Sequence, residues 1–228
     1  MNIADKLTTI AENEQRVYEA GKQSEYDKFW NAIQTAGERT DYEYAFAGYG
    51  WTGEIFKPKY DMNVSHSLMM FRYSLITDLT NLSINIDFSK SRTAKQIFEY
   101  SAIKHIGDFN VSGVRDSGET TGMFSNCLML HTIDKFTVKS DGTSLFTNTF
   151  ENCPALKNIT VEGVIGQNIS FNLSPLTVAS MNSIIAHLKD YSSTGGTHTL
   201  TLKKDRETML TAEEKAVATG KGWSLVWS

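Results

Sequence analysis

The stretch from Phe71 to Val164 constrains the fold most, because its apolar residues recur at a long, fixed period. The anchors form four rows, which are Phe71, Ile76, Leu79, Leu82 and Ile84; Phe98, Ile103, Ile106, Phe109 and Val111; Phe124, Leu130, Ile133, Phe136 and Val138; and Phe150, Leu156, Ile159 and Val164. Successive rows, here called repeats one to four, start 26 or 27 residues apart. Such a period is typical of supersecondary units that bury their apolar side against one another, so it predicts a solenoid.

The spacing inside a repeat indicates what each unit contributes. Ile106, Phe109 and Val111 lie three and then two residues apart, which suits a turn that enters a short strand. A helical repeat would need longer stretches with apolar residues at i, i+3, i+4 and i+7. The segments INIDF, DFNVS, KFTVK and NITVE are rich in β-branched and aromatic residues. We therefore expect one strand from each repeat in a common ladder.

The third and fourth repeats also resemble a known family. MFSNCLMLHTI (123–133) matches TFENCPALKNI (149–159) at an offset of 26 residues, and both resemble the "aF..C..L..I" pattern of BspA-like leucine-rich repeats. The first two repeats lack the Asn-Cys pair. The resemblance implies an α+β fold, a β-solenoid of about four coils with an N-terminal helix and an α/β C-terminal cap. The expected segments are the helix at 1–36, an aromatic-rich cap at 37–70, the repeats at 71–173 and the C-terminal cap at 174–228.

Composition and charge exclude several partners. The 228 residues are 40% hydrophobic, which suffices for a cooperative core, and the net charge is −4. No clustered Lys/Arg face appears, so we expect no nucleic-acid partner. No stretch approaches the roughly 20 apolar residues of a membrane span. The N-terminus MNIADKLTTIAENEQ lacks the basic and apolar regions of a secretory signal, which predicts synthesis and retention in the cytoplasm or release by a route other than secretion.

The N-terminal helix leaves two interpretations open. Ile3, Leu7, Ile10 and Val17 follow a heptad spacing, which predicts an oligomerisation segment with a homotrimer as one candidate state. The same frame then places Glu14, Gly21 and Ser24 on the seam. An amphipathic helix that packs on its own domain is therefore the alternative.

Residues 42–60, YEYAFAGYGWTGEIFKPKY, are the most aromatic part of the chain. Tyr49, Trp51 and Tyr60 suit a surface on which sugar rings stack. The favoured alternative is that these aromatics cover the open side of the first repeat, because solenoids need caps.

The C-terminal segment predicts a helix, strand, helix and strand. Ser174 or Thr177 caps the first helix, and THTLTLKK alternates as a strand. Thr211 and Glu214 form a capping box before the second helix, and WSLVW is the last strand.

Few residues offer chemistry. Cys127 and Cys153 occupy equivalent positions, and their spacing permits a disulfide, although this core position favours buried free thiols. The histidines are scattered singly, so we expect no metal and no other cofactor. Four aspartates recur near strand entrances, Asp78, Asp87, Asp108 and Asp134. Paired carboxylates can hydrolyse glycosides, but acceptors for backbone hydrogen bonds in turns are the favoured interpretation. We expect no catalytic residues and no enzyme activity.

A second resemblance points to function. NIADKLTTIAENEQRVYEAGKQSEYDKFW, AFAGYGWTGEIFKPKYD and the ending SPLTVASMNSIIAHL through GKGWSLVW look like modules of repeat proteins encoded in tail or appendage regions of phages and prophages of Gram-positive gut bacteria. This implies a non-enzymatic, receptor-binding appendage subunit located in the virion. Its implied partners are a host-cell surface glycan or protein, further copies of itself, and other virion proteins.

Two other classes remain open. One is a BspA-like adhesin or a cytoplasmic interaction scaffold outside a virion, and the other is a carbohydrate-active enzyme. For a binding function, we expect ligand contacts from outward-facing side chains. The candidates are Lys135, Thr137, Lys139, Lys157, Asn158 and Thr160 on repeats three and four, with Tyr49 and Trp51 at the N-terminal end.

Overall fold

The computed structural model describes Ala47 and residues 62–80, 86–114 and 120–228, whose elements belong to one compact unit. The predicted N-terminal helix with Ile3, Leu7, Ile10 and Val17 lies outside the described residues. So do Tyr49, Trp51 and Tyr60 of the aromatic segment, and the repeat anchors Leu82 and Ile84.

The described residues form short strands followed by an α/β ending. The strands are β1 (Met62–Asn63), β2 (Asp78–Leu79), β3 (Ile86–Asp87), β4 (His105–Asn110), β5 (Thr132–Thr137), β6 (Asn158–Glu162), β7 (Ile169–Phe171), β8 (His198–Leu202) and β9 (Trp223–Trp227). The helices are α1 (Val178–Ala186), α2 (Ala212–Gly220) and a 3₁₀ helix (Lys204–Met209). The fold is therefore mixed α/β.

Every strand pair in the described residues is parallel. The main sheet has the order β2-β4-β5-β6, and β1-β3 and β7-β8-β9 form two smaller sheets. Asp78 pairs with His105, His105 with Thr132, and Thr132 with Asn158, so the register advances by 27, 27 and 26 residues. These steps equal the sequence period. Parallel neighbours need a connection of a dozen or more residues, and one repeat supplies it.

A second hydrogen-bond ladder runs through the turns that begin each repeat. The N–H of Phe71 donates to the carbonyl of Ile97 (2.8 Å), and the N–H groups of Phe98 and Phe124 make equivalent bonds to the following repeats (both 2.9 Å). Two residues after Phe71, Phe98, Phe124 and Phe150, the backbone is left-handed. The φ values are 58° at Tyr73, 58° at Tyr100, 59° at Asn126 and 54° at Asn152.

This ladder shows how the first two repeats keep the common backbone geometry without an Asn-Cys pair. Their Tyr-Ser pairs, Tyr73-Ser74 and Tyr100-Ser101, occupy the place of the Asn-Cys pairs in repeats three and four. Ser74 and Ser101 are buried, as Cys127 and Cys153 are. The first two repeats thus use the same backbone geometry with different side chains.

A column of stacked phenylalanine rings forms the core. Neighbouring ring centroids lie 5.3 Å apart for Phe71 and Phe98, 5.4 Å for Phe98 and Phe124, 5.3 Å for Phe124 and Phe150, and 4.5 Å for Phe150 and Phe171. All five side chains are buried. Such stacked pairs add to the stabilisation from burial alone.

One anchor of the fourth row differs from the sequence prediction. Val161 is buried and pairs with Phe136 in the sheet, whereas Val164 is only half-buried. Ile159 and Val161 lie two residues apart, as in a regular strand, while Ile133 and Phe136 of the neighbouring strand lie three apart. The anchor spacing of the earlier repeats, when applied to the fourth repeat, therefore does not identify Val161.

The C-terminal elements largely follow the sequence prediction. Thr177, not Ser174, caps α1 by accepting a hydrogen bond from the N–H of Ser180. Thr211 and Glu214 form the predicted capping box of α2. β7 pairs with β8 and so joins the last part of the repeat segment to the ending.

Serines of α1 cover the edge of β6. The Ser180 hydroxyl accepts a hydrogen bond from the N–H of Ile159, and the Ser183 hydroxyl accepts one from the N–H of Val161, both at 2.9 Å. An open strand edge invites pairing with another chain. Side-chain oxygens of a helix here take the place of a further strand.

Replacing Phe124 by Ala removes a ring that is packed between Phe98 and Phe150. We expect the free energy of unfolding to fall by about 3 to 5 kcal/mol, which urea unfolding followed by circular dichroism measures. Met129→Ala in the same repeat is the control, because Met129 is 47% exposed, and its effect should stay within about 0.5 kcal/mol. Equal losses in the two variants would contradict the ring column.

Candidate functional site

The outward side of the main sheet carries polar side chains from β4, β5 and β6, and we call it the polar face. Its side chains lie between the buried anchors of each strand, which are Ile106 and Phe109 on β4, Ile133 and Phe136 on β5, and Ile159 and Val161 on β6. Side chains on the opposite side of a strand from its anchors are free of the core. The polar face is therefore a surface whose side chains the core does not constrain.

Two side-chain pairs cross from β4 to β5, and each is an ion pair when both of its members are charged. His105 Nε2 lies 2.8 Å from Asp134 Oδ1, and Lys135 Nζ lies 2.8 Å from Asp108 Oδ2. The hydrogen bond and the charge of Asp108 raise the pKa of Lys135. All four side chains are substantially exposed, so water screens both pairs and their contribution to stability is small.

These pairs correct the prediction for two of the four aspartates. Asp78 and Asp87 accept backbone hydrogen bonds from Thr80 and Ser89, as predicted for turns. Asp108 and Asp134 instead make ion pairs across the strands. The recurrence of aspartate was visible in the sequence, but the partners depend on strand register and were not.

Weaker polar contacts join β5 to β6. Thr137 Oγ1 donates to Glu162 Oε2 at 3.2 Å, and Asn158 Nδ2 approaches Thr132 Oγ1 at 3.4 Å. Thr160, between them on β6, is exposed. Hydroxyl and amide groups on this part of the polar face are thus accessible and only loosely held.

The register between β5 and β6 changes at the centre of the polar face. Asp134 and Lys135 of β5 together face only Thr160 of β6, because the pairing shifts between Ile133 and Phe136. This extra residue is a β-bulge, which redirects side chains and strengthens the local twist. On its other side, β5 keeps a constant register with β4, and Asp134 lies beside His105 there.

A cavity of about 230 Å³ lies where the register changes. Its polar lining consists of Thr132, Asp134, Asn158, Thr160, Thr177 and Ser180, and its apolar lining of Ile133, Ile159 and Ala179. Thr177 is the N-cap of α1 and Ala179 lies in its first turn, where backbone N–H groups favour hydrogen-bond acceptors. The cavity combines hydrogen-bond donors and acceptors with three apolar residues, so its lining suits a small polar ligand.

The structure gathers only part of the predicted binding set. Asn158 and Thr160 line the cavity, and Lys135 and Thr137 lie on the same polar face in the contacts above. Lys157 is exposed immediately before β6, and Lys139 is half-buried beyond the end of β5. Sequence reasoning missed Thr177 and Ser180, although Thr177 had been recognised as a candidate helix cap.

The two cysteines lie in the core. Cys127 and Cys153 are buried free thiols that donate to the carbonyl oxygens of Phe98 and Phe124, at 2.9 and 3.1 Å. Burial raises the pKa of Cys127 to about 12 and also raises that of Cys153. The thiolate is the reactive form, so neither thiol is poised for chemistry at neutral pH.

No group of three or more His, Cys, Asp or Glu side chains is arranged to hold a metal ion in the described part of the chain. Among the same residues, no helix has the length and apolar character needed to cross a bilayer.

Comparison of the chain with known protein families, curated proteins and solved structures gave no match.

Ser180 lines the cavity and also accepts a hydrogen bond from β6, so replacing Ser180 tests that contact. Ser180→Ala leaves the buried N–H of Ile159 without its acceptor, so we expect unfolding to require about 1 to 3 kcal/mol less free energy. Ser170→Ala on β7 is the control, because Ser170 is exposed and its removal should cost less than about 0.5 kcal/mol. Chemical denaturation of both variants measures the difference, and equal stability would exclude the bond.

Proposed function

We propose that this chain is a non-enzymatic binding protein, a receptor-binding subunit of a phage or phage-like tail appendage that recognises a glycan on the host-cell surface. The observation that carries the proposal is the polar face with its cavity at the bulge. The resemblance of the N- and C-terminal segments to phage-associated repeat proteins supports the setting in a virion.

The proposed scaffold is a BspA-like leucine-rich-repeat solenoid. The constant register steps of 27, 27 and 26 residues and the column of stacked phenylalanines support it. Buried Ser or Cys after each left-handed residue gives all four repeats a common core position. A scaffold of this kind presents its outward side chains on a rigid wall.

The lining of the cavity favours a neutral, hydroxylated ligand. Thr132, Asn158 and Thr160 supply hydroxyl and amide groups, which can both donate and accept hydrogen bonds. Asp134 adds an acceptor that disfavours an anionic ligand. At about 230 Å³ the cavity is smaller than the roughly 300 to 1,000 Å³ of sites for drug-sized ligands, so it suits one sugar unit of a longer chain.

The arrangement of the carboxylates fits a protein that binds its ligand without catalysis. Glycoside hydrolysis needs two carboxyl groups that flank the bond to be broken. Asp108 and Asp134 are each held in an ion pair, with Lys135 and His105 respectively. A shallow site of this kind binds weakly, and several copies on one particle would raise the overall affinity through avidity.

Fluorescent beads that carry many copies of the full chain should bind intact cells of at least one strain in a panel of Gram-positive gut bacteria. Asn158→Ala with Thr160→Ala removes two hydrogen-bonding groups from the cavity, so we expect binding, measured by flow cytometry, to fall about tenfold or more. Ser224→Ala on β9 is the matched control. The glycan-binding proposal fails if no strain is bound or if the double variant binds like the parent.

The appendage proposal also includes self-association through the N-terminal heptad residues, most simply as a homotrimer. Light scattering of the full chain should give the mass of a trimer. Leu7→Asp with Ile10→Asp places charges on the seam and should yield a monomer, whereas Thr9→Asp, outside the seam, should not. A monomeric parent chain would contradict self-association.

A further inference from the structure

An exposed apolar strip runs along one corner of the repeats, between the turn ladder and the strands. Among the described residues, five of the nine large apolar side chains that are exposed lie there. They are Tyr73 (52% exposed), Leu75 (45%), Tyr100 (49%), Leu128 (55%) and Met129 (47%). We call this strip the apolar edge. Contiguous exposed apolar surface commonly marks a site of interaction with another molecule.

One ring contact and one backbone hydrogen bond connect the apolar edge across the first three repeats. The rings of Tyr73 and Tyr100 stack with their centroids 5.1 Å apart. The N–H of Tyr100 donates to Ser125 of the third repeat at 2.9 Å, three residues before Leu128. In the fourth repeat, Pro154 takes the position of Leu128 and is exposed as well. The edge therefore includes exposed side chains from all four repeats.

A column of basic side chains borders the apolar edge. Lys104, His131 and Lys157 each precede a strand by one residue, and all three are exposed. The N–H of His131 donates to the carbonyl of Lys104 (2.8 Å), and that of Lys157 donates to the carbonyl of His131 (3.0 Å). His131 follows Met129 by two residues, so the column lies directly beside the edge.

The charge of this column is uncompensated within the described residues. Within the described residues, the ion pairs involve other cations, and neither Lys104 nor Lys157 lies within 4.0 Å of a carboxylate oxygen. The chain as a whole has a net charge of −4. Two exposed lysines of this kind on an acidic protein attract a partner with carboxylates.

The geometry of the tyrosines favours a peptide over a sugar. A sugar ring stacks on an open aromatic face, but Tyr73 and Tyr100 cover each other at an interplanar angle of 14°. The guanidinium carbon of Arg72 lies 4.8 Å from the ring centroid of Tyr73. The stacked face of each ring is therefore unavailable to a sugar, and the exposed remainder of the two side chains suits the apolar side chains and backbone of a polypeptide.

From these observations we propose that the apolar edge and the basic column together bind an extended peptide that alternates apolar and acidic side chains. Four repeats at about 4.8 Å per step span about 14 Å, the length of four or five extended residues. The apolar side chains contact Leu75, Leu128 and the tyrosine edges, and the carboxylates pair with Lys104 and Lys157. This interaction lies outside the cavity and does not rest on the receptor-binding role.

Fluorescence anisotropy with the full chain tests the proposal. The probe is a fluorescein-labelled six-residue peptide of alternating leucine and aspartate, and its counterpart has lysine in place of aspartate. We expect the acidic probe to bind at least tenfold more tightly than the basic one, and its affinity to fall as salt rises from about 0.05 to 0.5 M because the charges are exposed. Absent binding, or equal affinity for both peptides, overturns the proposal.

Variants then locate the site. Leu128→Ser with Met129→Ser should weaken binding of the acidic probe at least tenfold, and Lys104→Glu with Lys157→Glu should reverse the preference between the two peptides. Val217→Ser on α2 is the matched control, because Val217 is 48% exposed but lies away from the repeats. Melting temperatures of all variants check that they fold. Unchanged peptide affinity in the folded edge variants, or displacement of the probe by a neutral oligosaccharide, would overturn the assignment.

Discussion

The stacking of one phenylalanine per repeat is the interaction on which the described structure depends. Phe98 is buried because Phe71 and Phe124 cover its two faces, at 5.3 and 5.4 Å. No repeat can bury its own ring alone, since each face needs a neighbour. Stability is therefore shared between adjacent repeats, and the ends of the column must be covered by something other than a repeat.

The C-terminal end shows how this is achieved. Phe171 closes the ring column on Phe150 at 4.5 Å, although it lies outside the repeat period. Ser180 and Ser183 of α1 accept the hydrogen bonds that a next strand would otherwise accept from β6. The N–H of Thr177 also donates to Lys157, which fixes the start of α1 against the last repeat. The contacts that end the ladder thus build one wall of the cavity.

The sequence allowed prediction of features that depend on local pattern. The period, the strands β4 to β6 and the capping box of α2 all follow from the spacing of residues close in the chain. The partners of Asp108 and Asp134 could not be predicted, because they depend on how two strands 27 residues apart are aligned. The anchor Val161 was missed for the same reason, since the bulge in β5 is absent from β6. The cavity lies at that mismatch.

The positions with left-handed backbone show which choices of side chain the fold requires and which it does not. Asn tolerates this conformation, as at Asn126 and Asn152, whereas a bulky residue there costs roughly 1 to 2 kcal/mol. Tyr73 and Tyr100 adopt the same geometry, and their mutual stacking offsets part of that cost. About half of each side chain nevertheless faces solvent, so burial in the monomer does not account for the choice of tyrosine. A partner that covers the apolar edge would supply the missing contact. Tyr73 and Tyr100 would then be residues at which a strained backbone conformation and binding at the surface coincide.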